Sequence, residues 1–232
     1  MTPEDIDRIL ADSGSRQSSA DLRPAMQRAK AALGPSLEPV RPLAPASAFL
    51  PALVLVFVAV SALSAWGLGM HGLHVLSALQ RALIFPVVFT CASLAAVAAV
   101  REMRPAGGHR IAATALSASI LGLLAVFALL LGDYDRGRFV PEGIRCLIAG
   151  LACAIPAAFV ITLLLRRGYV LDWQAAGLAA GTLAGLAGIA MLELHCPILK
   201  APHVLFWHVA VVLVSGIAGR CLGWAAQSLK RT

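Results

Sequence analysis

The hydrophobic residues of this chain are gathered into six apolar blocks that follow a polar segment, residues 1–45. Each block holds about 18 to 23 residues, which matches the roughly 20 residues that an α-helix needs to cross a bilayer. The blocks are Ala46–Leu68, Ala82–Val100, Ile111–Leu131, Cys146–Leu165, Ala175–Leu192 and Val204–Leu222. The pattern predicts an all-α polytopic membrane protein: a bundle of six transmembrane helices (46–224), a short N-terminal tail with its linker (1–45) and a C-terminal segment (225–232).

Composition and charge narrow the class of protein further. Of the 232 residues, 59% are hydrophobic and 13% are charged, whereas a soluble domain carries roughly a quarter charged residues. A water-soluble domain alternates apolar and polar faces, whereas the apolar residues here form unbroken blocks. The composition is therefore not that of a water-soluble domain. The formal net charge of +7 has two interpretations, a nucleic-acid partner or the basic bias of cytoplasmic membrane loops, and its distribution distinguishes them.

The distribution of Lys and Arg predicts the orientation of the chain. Six crossings place both termini on one side, together with loops 101–110 and 166–174, and this side holds 14 of the 19 basic residues. The other side holds five, nearly balanced by four acidic residues. Because cytoplasmic loops are enriched in Lys and Arg, we expect both termini to be cytoplasmic. The charge is then a topology signal, and no direct nucleic-acid partner is expected.

Residues typical of transport or catalysis are missing from the predicted spans. The centres of the six blocks contain no Asp, Glu, Lys or Arg, which disfavours ion-coupled transport. The chain has no P-loop, GxSxG or HExxH motif, and its five cysteines form no CxxC pair. We therefore expect no enzymatic activity. No resident cofactor is expected either, apart from transient heavy-metal or zinc binding at the outer face.

Cysteine and histidine residues collect on the predicted outer side. Cys146 begins the fourth block, and Cys196 follows the fifth within the segment ELHCPILKAPHVLFWH. The same segment contains His195, His203 and His208, and thiolate and imidazole are ligands of soft and borderline metals. Three interpretations remain open: a Cys146–Cys196 disulfide, a metal- or oxidant-responsive thiol site with these histidines as further ligands, or unpaired thiols and histidines that serve only packing.

The fifth block carries a stripe of glycines at four-residue spacing, Gly177, Gly181 and Gly185. Such spacing forms a flat helix face that lets a second helix approach closely. This face would pack either against another helix of the same chain or against a second copy of the chain in a homodimer.

The polar tail carries apolar residues at short helical spacing, which is typical of two short amphipathic helices. The residues expected to contact a partner are Ile6, Ile9, Leu10, Leu22, Met26 and Leu33. Helices this short are unstable alone, so we expect them to fold in a groove of the partner. The alternative is a tail that lies on the membrane surface without a partner.

Several short fragments form a series that extends over most of the chain. They are the PVRPL segment before the first block, Arg145–Cys146, Pro156, Leu165–Gly168 (LRRG), the glycine-rich fifth block, Leu194–Pro197 (LHCP) and Phe206–Trp207. In this series the chain resembles the NrsF family (negative regulator of sigma F), which are six-helix bacterial inner-membrane anti-sigma factors. It departs from the family pattern in its divergent tail and in His208, where an aromatic residue is expected.

The resemblance implies a function. A protein of this family would hold an extracytoplasmic-function sigma factor at the membrane through its tail, and Cys146 and Cys196 would take part in its release under heavy-metal or related stress. We therefore expect a non-enzymatic anti-sigma factor whose partners are the sigma factor and the lipid bilayer. The alternative is a small transporter or channel that uses the outer histidines and cysteines as an entry site for a metal or small solute.

Overall fold

The computed structural model describes residues 27, 28, 31, 45–103, 109–135 and 138–229. The chain divides after Pro42, and all the helices named below belong to the second unit, Leu43–Thr232. Within the described residues the secondary structure is helical and contains no strand, which confirms the predicted all-α class. The tail residues expected to bind a partner lie outside the described residues: Ile6, Ile9, Leu10, Leu22, Met26 and Leu33.

Seven helices make up the described part of this unit. They are α1 (Ala46–Leu68), α2 (His71–Val75), α3 (Ala78–Glu102), α4 (His109–Leu130), α5 (Phe139–Leu165), α6 (Trp173–His195) and α7 (Ala201–Leu229). The last helix is not uniform. Its first turn, Ala201–His203, is α-helical, Val204–His208 is a π-helical turn, and Val209–Leu229 is α-helical again.

Five described helices, not six, are long and apolar enough to cross a membrane: α1, α3, α5, α6 and α7. The exception is the third predicted span, Ile111–Leu131, which lies largely in α4. Within the described residues the apolar part of this helix is Leu116–Leu130, which is shorter than the other five. The described helices therefore confirm five of the six predicted spans as long and apolar enough to cross a membrane, not six.

Contacts between helix termini define one end of the bundle. Nδ1 of His195, the last residue of α6, donates a hydrogen bond to the carbonyl of Gly69, directly after α1 (2.8 Å). In the first turn of α3, the side-chain amide of Gln80 donates to the carbonyl of Leu130, the last residue of α4 (3.1 Å). Helices α1, α4 and α6 end here, and α3, α5 and α7 begin here. We call this the thiol end, because Cys146, near the start of α5, and Cys196, directly after α6, lie here.

Two further contacts define the opposite end. The N–H of Tyr169, shortly after α5, donates to the carbonyl of Met103, directly after α3 (3.1 Å). Gly223, in the last part of α7, lies against the backbone of Trp173, the first residue of α6. The long helices therefore alternate in direction. Pro45, where the tail joins α1, and the last residues of α7 both lie at this opposite end.

Helix α6 is the central helix of the bundle. It packs against α1, α3, α5 and α7, and its residues are almost continuously buried from Ala176 to Glu193. The helix begins at a side-chain cap, because Oδ1 of Asp172 accepts hydrogen bonds from the N–H groups of Gln174 (2.9 Å) and Ala175 (3.1 Å). Its Ala- and Gly-rich sequence allows four neighbouring helices to approach closely.

Candidate functional site

The two outer cysteines meet at the thiol end. Cys146 lies near the start of α5, and Cys196 is the residue that follows α6. Their Sγ atoms are 3.4 Å apart, in contact but not covalently joined. Cys196 is buried and Cys146 is half-buried. Two sulfurs at this separation are placed for either of two reactions, closure of a disulfide or joint binding of one metal ion.

Two histidines complete a cluster of donor side chains. Nε2 of His203 lies 3.7 Å from Sγ of Cys196, and the imidazole rings of His203 and His208 pack edge to face with centroids 5.3 Å apart. One donor atom from each of Cys146, Cys196, His203 and His208 lies within 4.8 Å of the other three. We call these four residues the thiol–imidazole cluster. They are four of the five residues that the sequence predicted as metal ligands.

A buried carboxylate supports one of these histidines. Nδ1 of His208 donates a hydrogen bond to Oε1 of Glu193, in the last turn of α6 (2.8 Å), and both side chains are fully buried. This contact leaves Nε2 of His208 and Oε2 of Glu193 buried without a hydrogen-bond partner. Glu193 stands in the ELHCP segment, but no pattern in that segment indicates that it pairs with a residue of the next helix. Partnerless buried atoms of this kind are rare in native proteins.

The π-helical turn in α7 sets the direction of the two histidines. His203 and His208 are five residues apart, and in a regular α-helix their side chains would point about 140° apart. The π-helical hydrogen-bond pattern, from residue i to i+5, brings residues at this spacing onto one face. π-helical turns occur frequently at functional sites. No feature of the sequence signalled this turn.

His195, the fifth predicted metal ligand, lies outside the cluster. Its Nδ1 atom donates to the carbonyl of Gly69, and its ring centroid is 6.0 Å from that of His71. His195 therefore fastens the segment between α1 and α2 to the end of α6. Residue spacing alone could not distinguish it from Cys196, because the helix ends between the two.

Two glycines let neighbouring elements close over the cluster. Gly72, in α2, packs against the backbone carbonyl groups of Cys196 and Glu193. A Cβ atom at this position would lie 2.6 Å from the carbonyl oxygen of Cys196 and 2.7 Å from that of Glu193. Gly143, three residues before Cys146, lies against the indole of Trp207. Neither glycine stands out in the sequence, because the role of each depends on segments that approach from elsewhere in the chain.

The surroundings of Cys196 favour its protonated form. The neighbouring sulfur of Cys146 and then burial raise the pKa of the Cys196 thiol, and contacts with His203 and His208 oppose this rise. The thiolate is the form that binds metals and attacks oxidants. The Cys196 thiol therefore gives up its proton less readily than an ordinary cysteine.

The glycine stripe of α6 faces α7. Gly177 lies against the carbonyl of Gly219, Gly181 lies against the carbonyl of Ser215, and Gly185 packs on the backbone of the same helix. We call this row of contacts the glycine seam. The face that the stripe forms is occupied within the molecule, so a homodimer would have to use a different surface.

One protein-family model matches this chain. The family is described as negative regulator of sigma F, and the match covers residues 33–226. No curated protein and no solved structure matches the chain. The matched region includes the thiol–imidazole cluster, Glu193 and the glycine seam, and leaves out the first 32 residues of the tail.

Proposed function

Because the chain belongs to the family of negative regulators of sigma F, we propose that it is a membrane-bound anti-sigma factor for an extracytoplasmic-function sigma factor. The single observation that carries this proposal is the family match over residues 33–226, most of the chain. We propose further that the sigma factor is released on periplasmic stress, a heavy metal or an oxidant, and that Cys146 and Cys196 sense this stress.

The five long apolar helices support a place in a membrane, which we assign to the inner membrane of a bacterium. We assign the orientation from the distribution of charge. Arg101, Arg166 and Arg167 stand at the opposite end of the bundle, and cytoplasmic helix ends are enriched in basic residues. On this assignment the thiol end faces the periplasm, where thiols are able to oxidise.

The tail is the segment proposed to hold the sigma factor. Its apolar residues are spaced as in an amphipathic helix that binds a groove. Pro45, where α1 follows the tail, lies at the opposite end of the bundle from the cysteines. The sensing thiols and the sigma-binding tail are thereby assigned to the two faces of the membrane.

A continuous pair of helices connects these two faces. Helix α6 carries Glu193 at the thiol end and Trp173 at the opposite end, and α7 carries His208 and Gly223 at the corresponding levels. Between them runs the glycine seam, whose backbone contacts include no long side chain able to absorb a shift. We propose that reaction at the cluster moves α7 against α6, and that this movement lowers the affinity of the tail for the sigma factor.

Replacing both cysteines tests the sensing part. In cells that carry Cys146→Ser with Cys196→Ser, a reporter transcribed by the partner sigma factor should respond about equally with and without added cadmium, because serine does not replace thiolate as a soft ligand. The matched control is Cys221→Ser, an exposed cysteine on α7. Induction of the double variant to the wild-type extent would show that these thiols are not the sensor.

Capture of a sigma factor tests the anti-sigma part. Full-length protein in detergent should retain a sigma factor from host lysate, identified by mass spectrometry. Leu22→Asp with Met26→Asp should lose it, because a charge on the apolar face prevents groove binding. The control pair Gln17→Asp and Ser19→Asp adds the same charge at polar positions. Metal uptake into vesicles by the reconstituted protein, without sigma capture, would favour a transporter instead.

A further inference from the structure

We propose that the thiol–imidazole cluster is a tetrahedral site for one divalent cation of the zinc class, zinc or cadmium. Its ligands are Cys146, Cys196, His203 and His208, and Glu193 is a positioning residue that orients the imidazole of His208. A role for this metal as the releasing signal rests on the proposed function, whereas the binding of the metal does not.

The distances within the cluster fit such a site. With metal–sulfur bonds of about 2.3 Å and metal–nitrogen bonds of about 2.0 Å, the donor atoms of a tetrahedral zinc site lie about 3.3–3.8 Å from one another. The Sγ atoms of Cys146 and Cys196 are 3.4 Å apart, and Nε2 of His203 is 3.7 Å from the second sulfur. All four donors lie within 4.8 Å. Small side-chain rotations are therefore enough to close the coordination shell.

The partnerless nitrogen of His208 is an independent observation. The side chain is fully buried, and its Nε2 atom has no hydrogen-bond partner. A histidine that binds a metal almost always donates its other ring N–H to a carboxylate or a carbonyl. The contact of 2.8 Å between Nδ1 of His208 and Glu193 has this form. A metal on Nε2 would supply the partner that this buried atom lacks.

The binding reaction balances in charge and involves no electron transfer. As the cation binds, the thiols of Cys146 and Cys196 release their protons to water, and each imidazole coordinates through a nitrogen that carries no proton. The two thiolates then offset the two positive charges of the metal, and the carboxylate of Glu193 stays hydrogen-bonded to Nδ1 of His208. Because Cys196 is buried, a thiolate bound to a metal is much less costly at this position than a bare thiolate.

The donor set selects the class of metal. Two sulfurs and two imidazole nitrogens in a tetrahedral arrangement favour zinc and the softer cadmium, whereas magnesium and calcium prefer oxygen ligands. The site does not follow a short zinc-binding motif, because its cysteines are 50 residues apart in sequence. It exists only where the ends of α5, α6 and α7 meet.

X-ray absorption at the zinc edge tests the site on the unmodified, full-length protein in detergent. We expect one zinc per chain, with two sulfurs at about 2.3 Å and two imidazole nitrogens at about 2.0–2.1 Å. A shell of oxygen ligands, a shell of sulfurs without imidazole, or failure to retain zinc would overturn the proposal. This measurement requires no variant, so it does not depend on how well a variant folds.

Histidine variants then identify the nitrogens. His203→Ala and His208→Ala should each remove one imidazole from the shell. The control is His195→Ala, a neighbouring histidine outside the cluster, which should leave both imidazoles in place. Two imidazoles in the shells of His203→Ala and His208→Ala would refute the ligand assignment.

Glu193→Gln tests the positioning role. At saturating zinc we expect an unchanged shell, but an affinity about 10–100-fold weaker, because the partner of a metal-bound histidine tunes its orientation and basicity. Glu142→Gln, a carboxylate at the start of α5, is the control. If Glu193→Gln lowers only the unfolding midpoint and leaves the zinc affinity unchanged, its role is structural and the assignment fails. None of these samples contains a sigma factor, so sigma capture succeeds or fails independently of them.

Discussion

The two halves of the contact between α6 and α7 are built on different principles. Along the glycine seam, small residues let one backbone lie directly on the other. At the thiol end the same two helices bury Glu193 against His208. Helix α7 is regularly α-helical along most of the seam and π-helical at the buried pair. One helix pair therefore carries both a tightly packed surface and a polar, irregular one.

The seam is the part that holds the two helices together, and the thiol end is the part that is able to react. The seam gains stability from close packing, and an added atom there must displace backbone. The thiol end costs stability, because polar atoms are buried without partners. Proteins tolerate local costs of this kind mainly at functional sites. We therefore assign the reaction to the thiol end and its transmission to the seam.

A one-residue insertion in the π-helical turn should break the thiol end most completely. An Ala added after Phe206 places His203 and His208 six residues apart and turns one imidazole away. We expect zinc affinity to fall by at least about 100-fold, the upper range for changes beyond the ligands themselves. Isothermal titration of the full-length protein measures this loss.

Deletion of Phe206 is the matched control for this insertion. It gives the two histidines a spacing of four residues, which an ordinary α-helix places on one face, so zinc binding should persist. Equal losses of affinity in the insertion and the deletion would contradict the role given to the π-helical turn.

Replacing Glu193 and His208 should show how much the buried pair lowers the free energy of unfolding. His208→Leu leaves Glu193 without its partner and should lower the free energy of unfolding of the metal-free protein by about 3–5 kcal/mol. His208→Leu with Glu193→Leu should restore wild-type stability or exceed it by about 1–4 kcal/mol, and should bind no zinc. Unfolding in detergent measures both. A double variant as unstable as the single one would show that the unpaired carboxylate is not the cause.

A methyl group in the seam should have a smaller effect on stability. The new Cβ of Gly181→Ala meets the carbonyl of Ser215, and we expect a loss of about 1–3 kcal/mol as the helices move apart. The control is Gly122→Ala on α4, which has open space around it and should lose nothing. Zinc binding should survive in Gly181→Ala while the cadmium response of the reporter weakens. An unchanged response would argue against transmission along the seam.

The helices were largely predictable, because a membrane span needs a continuous apolar run. The fifth block, Ala175–Leu192, lies within α6 (Trp173–His195). The fourth block begins at Cys146, whereas α5 begins at Phe139: the segment that contains Glu142 and Arg145 is helical although it is not apolar. The third block, Ile111–Leu131, lies largely in α4, whose described apolar part is Leu116–Leu130.

The sequence predicted which residue types form the candidate site, but not which individual residues belong to it. Residue types and predicted topology brought two cysteines and three histidines to the outer side. They gave no means of telling His195, which bonds to Gly69, from His203, which faces the sulfur of Cys196. The distinction depends on where α6 ends and on a π-helical turn, and both are set by packing between helices.

The sequence by itself determined the all-α class, the approximate positions of the long helices and the residue types available for chemistry, because these follow from local apolar runs and from composition. Tertiary structure alone decided that Glu193 pairs with His208, that the two cysteines lie 3.4 Å apart across 50 residues of chain, and that the glycine stripe is covered by α7. Contacts between distant segments depend on how helices cross and rotate, and no periodicity along one segment encodes that.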